Sequence, residues 1–185
     1  MDADDGWRRM GSNPFAASAV DAVRRLRGRL VAPVTVWTAY DLDGGPAGIT
    51  VSSMMVAEGE PPSVLGLVGP LSEFWEAASQ TGRFVVHVLG ADAVRTADQF
   101  ALRYPGDPFE GLSVTASEWG PVLASAQTRA ACSLAGSLDV GYQLLVRGTP
   151  VEMELPEDTG PPLVHYRGRY LTTGPRAQGP TAGGR

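Results

Sequence analysis

Hydroxyl side chains crowd one short stretch of the chain, Pro46 to Met55, which reads PAGITVSSMM. The pattern predicts a strand, in which successive side chains point to opposite faces. Two mixed faces result: Thr50, Ser52 and Met54 on one side, and Ile49, Val51, Ser53 and Met55 on the other. The hydroxyls can therefore hydrogen-bond a polar ligand, or neighbouring backbone can satisfy them as in an ordinary barrel strand.

Ser72 is the second group with possible chemistry. A Gly-Pro turn precedes it and a helical pattern follows it to about residue 81, so Ser72 is predicted as a helix N-cap. Free backbone N–H groups at a helix start can bind an anion such as phosphate. Glu73 and Glu76 in the first turn oppose a strongly charged anion and equally suit a plain helix start.

The other reactive side chains do not form a common catalytic set. Cys132 is the single cysteine, which excludes an internal disulfide and a multi-cysteine metal site, and its neighbours predict a buried strand residue. His87 and His165 stand in separate strand-like runs, so neither a zinc cluster nor a Ser/His triad is indicated. The sequence contains no P-loop and no glycine-rich dinucleotide fingerprint.

Composition and charge narrow the class of protein. The 185 residues, 43% of them hydrophobic, suit one compact domain. A net charge of -5 leaves no broad basic surface for nucleic acid. The start MDADDGW is not the basic opening of a secretory signal, and no apolar run approaches the roughly 18 residues that span a bilayer. We expect a soluble, cytoplasmic protein with no nucleic-acid or membrane partner.

The first predicted element is a helix over residues 14–30, with Asn13 as its N-cap and Pro14 in the first helical position. One apolar stripe falls at helical spacing: Phe15, Ala19, Val23 and Leu26. Arginines cluster late in the helix, at Arg24, Arg25, Arg27 and Arg29. They suit the negative end of the helix dipole, and phosphate binding is the alternative interpretation.

Runs rich in β-branched and aromatic residues predict strands over 31–40, 47–56, 63–68, 84–89, 127–138, 143–154 and 163–171, the last with a tight turn at Arg167-Gly168. Further helices are predicted over 72–81 and 91–102. Strand and helix never alternate regularly, which favours an antiparallel barrel over a doubly wound parallel sheet. So small a barrel is filled by its own side chains. A ligand must then lie outside it or in a groove shared with a second subunit, which favours a dimer.

The ends and one long loop complete the predicted organisation. We expect a flexible N-terminus at residues 1–12, the folded domain at 13–172 and a disordered tail at 173–185, which lacks apolar content. Residues 104–112, YPGDPFEGL, are too irregular for a helix or strand. A segment of this kind in a compact domain is often a lid or part of an interface.

Six segments in order carry a resemblance that covers about residues 22–170. They are VTVWTAYDLDGGPAGITVSSMM, the Pro61-Pro62 pair, SEFWEAASQTGRFVVHVL, QFA at 99–101, WGPVL at 119–123 and PLVHYRGRY at 162–170. Together they resemble the flavin reductase-like, FMN-binding split-barrel family. The resemblance implies a homodimer of six-stranded Greek-key split β-barrels with about three helices. It also implies FMN, or alternatively FAD, in a groove near the subunit interface, NADH or NADPH as hydride donor, and a monooxygenase that receives the reduced flavin.

Residues of this chain that match the family's flavin contacts fall in two groups. Gly48, Thr50, Val51, Ser52 and Ser53 are implied to lie along the isoalloxazine and ribityl chain, with Gly48 permitting close backbone approach. Leu67, Gly69 and Ser72 occupy the strand and helix entry that approach the flavin and its phosphate in relatives. Relatives often place Asn, Arg or Lys in this turn, whereas this chain has Gly69-Pro70-Leu71-Ser72-Glu73.

A second departure from the family pattern concerns the donor site. Many family reductases carry a Gly-Asp-His run after the strand that holds Cys132, and this chain reads Asp139-Val140-Gly141-Tyr142-Gln143. Tyr142 is a candidate to stack on the nicotinamide or flavin in place of the histidine, and an aromatic packing on the barrel rim is the alternative. Hydride transfer needs stacking and orientation more than a side-chain acid.

No basic pocket for the extra phosphate of NADPH shows at a fixed spacing. Arg83, Arg95, Arg103 and Arg129 are candidates by residue type alone. Three functions therefore stay open. The first is an NAD(P)H:FMN reductase, the second an FMN-binding carrier or sensor without turnover, and the third a split barrel that has lost its ligand.

Overall fold

The computed structural model describes residues 18–103 and 105–172. The predicted flexible N-terminus, the disordered tail and the start of the first predicted helix lie outside these ranges, so the domain bounds stay a prediction. Three helices are described. They are α1 (Ser18–Gly28), α2 (Glu73–Thr81) and α3 (Val94–Phe100). Ser72 is the N-cap of α2, as predicted, and Gly82 ends that helix at a positive φ of 71°.

Twelve strands make up three antiparallel sheets. The strands are β1 (Ala32–Pro33), β2 (Thr35–Tyr40), β3 (Pro46–Val51), β4 (Met55–Ala57), β5 (Ser63–Val68), β6 (Arg83–Val88), β7 (Val114–Ser117), β8 (Gly120–Leu123), β9 (Thr128–Val140), β10 (Gln143–Glu154), β11 (Leu163–Tyr166) and β12 (Arg169–Thr172). The main sheet has the order β3-β2-β6-β9-β10-β5-β4, beside a three-stranded sheet β1-β11-β12 and the hairpin β7-β8.

A bent strand closes the main sheet into a barrel. The sequence predicts one strand over 47–56, but the chain bends at residues 52–54, so that β3 pairs with β2 at one edge and β4 pairs with β5 at the other. Counting β3 and β4 as one bent strand, the barrel has six strands. The predicted antiparallel barrel is confirmed, and the prediction of an unbroken strand was wrong because β3 and β4 belong to opposite edges.

Aromatic rings fill the barrel. Trp37 stacks on Phe84 with ring centroids 5.2 Å apart, and Phe74 from α2 meets Trp37 edge-on at 5.9 Å. Two glycines leave room for these rings. A Cβ on Gly66 would lie 2.7 Å from the Trp37 indole, and a Cβ on Gly148 would overlap the Phe84 ring. The interior is therefore occupied by the chain's own side chains, as the sequence predicts.

A second core lies outside the barrel, between β2, β6, α3 and the C-terminal hairpin. Its larger members are Val34, Val36, Leu89, Phe100, Phe109, Leu123 and Leu163. Phe109 meets Phe100 edge-on at 4.8 Å, and Gln99 Nε2 donates to the Glu110 carbonyl at 3.0 Å. These contacts fix the irregular 105–112 segment to α3, which argues against a free lid.

Between this segment and β9 lies a two-stranded hairpin that contacts β2. Residues 120–123 form β8, which pairs with β7, and the Thr38 hydroxyl donates to the Pro121 carbonyl at 2.6 Å. Gly120 has a φ of 145°, and a Cβ there would lie 2.9 Å from the Thr38 carbonyl oxygen. The hairpin can therefore dock closely on β2 only with glycine at this position.

Candidate functional site

The bend between β3 and β4 brings most of the predicted site residues to one corner of the barrel. Ser53 lies at the bend, and its hydroxyl accepts from the Leu67 N–H at 2.8 Å and contacts the Leu67 carbonyl at 3.3 Å. No backbone ladder joins β3 to β5 among the described residues. The Ser53 side chain therefore connects the end of β3 to β5 at the seam, the place where no backbone hydrogen bonds join these two strands.

Three other residues of the β3 group contact the protein interior. The Thr50 hydroxyl donates to the Ala97 carbonyl of α3 at 2.7 Å. Val51 is buried in the barrel, and its carbonyl accepts from the Thr35 hydroxyl at 2.6 Å. A Cβ on Gly48 would lie 2.5 Å from the Phe100 ring. Close packing by Phe100 thus requires glycine at 48, independently of any ligand.

Ser52 is the exposed hydroxyl of this run. Within the described ranges, its side chain makes no hydrogen bond with another residue. Of the hydroxyls at the corner, only that of Ser52 is therefore fully free for a ligand. The sequence left two alternatives for these hydroxyls, a polar ligand or neighbouring backbone, and Thr50 and Ser53 follow the second.

The turn from β5 into α2 lies beside this corner. Ser72 Oγ donates to the Gly69 carbonyl at 2.8 Å and accepts from the Trp75 N–H at 3.2 Å. The plain-cap interpretation of Ser72 is therefore satisfied within the chain. Glu73 and Glu76 flank the helix start, and no ion pair among the described residues neutralises either carboxylate. The turn is consequently acidic.

Tyr142 lies near the same turn. It occupies the tip of the β9-β10 hairpin, next to Gly141, which has a φ of 61°. Leu144 is paired with Val68, so the tip continues past the end of β5 toward the residues that start the turn. Tyr142 is 59% exposed. The corner thus combines a free hydroxyl, a helix start and an exposed aromatic ring, which are the groups that hold a planar polar ligand.

The histidine and cysteine side chains with shifted pKa values lie away from this corner. His87 is fully buried in the second core, where Nδ1 lies 3.1 Å from the Val36 carbonyl and Nε2 accepts from the Leu123 N–H at 3.1 Å. Burial lowers the pKa of His87 to about 4. Burial likewise raises the pKa of the Cys132 thiol to about 12, and the predicted buried strand position of this cysteine is confirmed.

The role of His87 as a bridge between β2, β6 and β8 was not predicted. The signal was present, since a histidine inside the apolar run FVVHVL needs buried partners for both ring nitrogens. Cys/His/Asp/Glu clusters that could hold a metal ion are absent from the described part of the chain. In the same part, no helix is long and apolar enough to cross a membrane.

The fold is that of a small split β-barrel, and the corner is its candidate ligand site. The family model described as flavin reductase like domain matches residues 27–174. A NADH:riboflavin 5'-phosphate oxidoreductase of Streptomyces pristinaespiralis is 31% identical over 89% of this chain and 96% of its own. The reductase component of a 4-nitrophenol 4-monooxygenase/4-nitrocatechol 2-monooxygenase of Rhodococcus opacus is 32% identical over 80% and 77%.

Among solved structures, a homologue of nitrilotriacetate monooxygenase component B from Mycobacterium thermoresistibile superposes with a TM-score of 0.79. It is 30% identical, and the match covers 91% of this chain and 95% of that one. The chain therefore belongs to the flavin reductase-like domain family.

Proposed function

We propose that the protein is a cytoplasmic, homodimeric NADH:FMN oxidoreductase that passes reduced flavin to a monooxygenase. The observation that carries the proposal is the barrel corner, where Ser52, the start of α2 and Tyr142 lie on the outside of a filled barrel. In support, the named relatives include a NADH:riboflavin 5'-phosphate oxidoreductase and the reductase component of a monooxygenase.

The donor set at the corner fits a flavin ring and its ribityl chain. The free Ser52 hydroxyl can bond a polar edge of the ring, and the backbone of Gly48, Thr50, Val51 and Ser53 lines the approach to it. Leu67 and Gly69 lead to the start of α2, capped by Ser72. The exposed Tyr142 ring can stack on flavin or nicotinamide and exclude water. When bound, the flavin itself accepts and transfers the hydride, so no acid or base is required of the protein.

The same corner fits the flavin phosphate poorly. The Glu73 and Glu76 carboxylates, which form no ion pair within the described ranges, repel a dianion at the start of α2, and this weakens the attraction of the free N–H groups. We therefore propose that FMN binds mainly through its ring and exchanges readily. FAD is the alternative flavin. Ready exchange is what an enzyme needs if the reduced flavin is to leave for a second protein.

NADH is the proposed donor. Three of the four arginines considered for the NADPH phosphate are engaged elsewhere. Arg83 pairs with Glu118 at 3.5 Å, Arg103 pairs with Asp98 at 3.2 Å, and Arg129 pairs with Glu154. Of these four arginines, Arg95 alone has no ion pair among the described residues.

A flavin carrier or sensor without turnover is the second candidate. It is favoured by Tyr142 at the hairpin tip, where many family reductases have the Gly-Asp-His run. Such a protein would bind FMN and leave NADH unoxidised.

The test follows NADH and NADPH absorbance with the purified protein, with and without added FMN. We expect oxidation of NADH that requires FMN. Tyr142→Ala should lower the rate at least tenfold through loss of stacking, whereas Leu42→Ala, in the distant β2-β3 turn, should leave it unchanged. FMN binding without oxidation of either nucleotide would contradict the reductase and leave the carrier.

A further inference from the structure

Aromatic and basic side chains from two parts of the chain meet at the C-terminal hairpin β11-β12. His165 of β11 is paired with Tyr170 of β12, and their rings meet with centroids 5.8 Å apart. The guanidinium group of Arg103, which follows α3, lies over the Tyr170 ring at 5.4 Å from its centroid. Arg103, Tyr170 and His165 therefore form one contiguous cluster.

Helix α1 brings a further arginine to this cluster. The backbone N–H of Arg167, in the β11-β12 turn, donates to the Gly28 carbonyl at 2.8 Å, so the end of α1 is held against the turn. Arg27 directly precedes Gly28 in the helix. The side chains of Arg27 and Arg167 are exposed, and neither forms an ion pair within the described ranges. Three arginines from three segments of the chain thus surround the hairpin.

Positive charge is in excess at this place. The pKa of His165 is lowered first by burial and then by the charges of Arg103 and Arg27. One carboxylate offsets part of the charge, since Asp98 pairs with Arg103 at 3.2 Å. Helix α1 has a single acidic residue, Asp21, which precedes Arg27 by six positions. The cluster therefore stays basic in a chain whose net charge is -5.

An anion would offset the repulsion among these cations. The planar guanidinium group donates two parallel hydrogen bonds to phosphate, which makes arginine the usual side chain for that ligand. Phosphate binding was the alternative that the sequence left open for the arginines of α1. We propose that Arg27, Arg103 and Arg167 form a binding site for a phosphate group, carried by a nucleotide or free in solution. This site shares no residue with the barrel corner and does not depend on the proposed function.

Proton NMR of the histidine C2 protons tests the site directly, because the chain has only two histidines. Sodium phosphate or ADP should raise the pKa of His165 to 6.5 or above, since a bound dianion offsets the arginine charges. The pKa of His87, which is buried in the second core, should stay at about 4. Sodium chloride at the same ionic strength controls for screening and should have a smaller effect on His165.

Arg27→Gln tests the arrangement of the cations. Without any ligand, it should already raise the pKa of His165, because it removes one of the two charges that lower it. It should also weaken ADP binding, measured by calorimetry, by about tenfold or more, the value of a charge-assisted hydrogen bond. Arg147→Gln is the matched control. Arg147 is likewise exposed but lies in the main sheet, so its loss should change neither quantity.

The probes also distinguish the source of the phosphate. Tighter binding of ADP than of inorganic phosphate identifies a nucleotide, and similar affinities identify free phosphate. Adenosine, which lacks the phosphate, should not bind. A His165 pKa that responds no more to phosphate or ADP than to chloride would overturn the inference, as would equal binding of adenosine and ADP.

Two further outcomes would contradict the phosphate site. One is an Arg27→Gln variant that binds ADP as tightly as the wild-type protein. The other is binding of polyglutamate but of neither phosphate probe, which would indicate an acidic protein partner instead. NADH oxidation is not a readout of these experiments. A failure of the proposed reductase activity therefore leaves the phosphate site standing, and the reverse also holds.

Discussion

At the scale of single residues, two adjacent serines have opposite surroundings. The Ser53 hydroxyl bonds both backbone groups of Leu67 across the seam, whereas the Ser52 hydroxyl is exposed and free of partners in the described ranges. The same side chain therefore serves stability at one position and is available to a ligand at the next. The bend between β3 and β4 separates the two roles, because it turns Ser53 toward Leu67 and leaves Ser52 exposed.

Substitution by alanine should separate these roles experimentally. Ser53→Ala leaves the partly buried Leu67 backbone groups without their partner, and we expect a loss of about 1–3 kcal/mol in the free energy of unfolding. Ser52→Ala should change stability by less than about 0.5 kcal/mol and weaken FMN binding roughly five- to tenfold, the value of about one hydrogen bond. Urea unfolding and flavin titration measure the two effects. A stability loss with Ser52→Ala, or weaker FMN binding with Ser53→Ala alone, would contradict the proposed site.

His87 should make stability depend on pH in the acid range. Its pKa is about 4 when folded against 6.5 when unfolded, so below pH 6.5 the unfolded state binds more protons. Stability is then complete above pH 6.5 and falls between pH 6.5 and 4, by on the order of 3 kcal/mol. Urea unfolding across this range measures the loss. His87→Gln should flatten the profile although it lowers stability overall, whereas His165→Gln, at a more exposed site, should retain most of the slope.

At the scale of elements, the start of α2 determines how strongly the flavin phosphate binds. Its free N–H groups attract an anion, and its two glutamates repel one. Glu73→Gln with Glu76→Gln should therefore raise affinity for FMN several-fold, at about 0.3–1 kcal/mol per charge removed. Affinity for riboflavin, which lacks the phosphate, is the internal control and should not change. Equal gains for both ligands would show that the phosphate does not lie at this helix.

Gly148 of β10 packs closely against the Phe84 ring in the barrel, so a larger residue there should lower stability. Gly148→Ala places a methyl group in the space of the Phe84 ring and against Cys132, so we expect a loss of about 1–3 kcal/mol or more from overpacking. Gly28→Ala is the control, because a Cβ there meets only one atom at 4.0 Å and the residue ends a helix. Thermal unfolding compares the two, and similar losses would contradict the packing argument.

Sequence patterns predicted the elements that show a regular pattern of apolar residues or a local capping residue. The apolar run of β2, the bounds of β10 and the cap at Ser72 follow from local chemistry, and the structure confirms them. The bend at residues 52–54 was not predicted, because it is imposed by pairing with two strands at opposite edges. The internal contacts of Thr50 with Ala97 and of Gly48 with Phe100 were also missed, since their partners lie about 50 residues away.

At the scale of the whole molecule, flavin binding should raise the free energy of unfolding and the Tm. A ligand that binds only the folded state at a concentration of 100 times its Kd adds about 2.7 kcal/mol, or roughly 5–10 °C in Tm for a domain of this size. We expect FMN to give such a shift and riboflavin nearly the same, because the ring provides most of the contacts. Differential scanning fluorimetry measures it. No shift with either flavin would favour a barrel that has lost its ligand.

The bent strand has a consequence for how the barrel opens. β3 and β4 are one continuous segment, so the two edge strands of the sheet are the same piece of chain. If the Ser53-Leu67 hydrogen bonds break, both edge strands can therefore separate from the sheet together. A flavin at the corner spans that seam and must slow its opening. Amide hydrogen exchange at Leu67 should therefore slow on flavin binding, while exchange at Leu163, whose N–H donates to the Leu89 carbonyl in the second core, stays as it was.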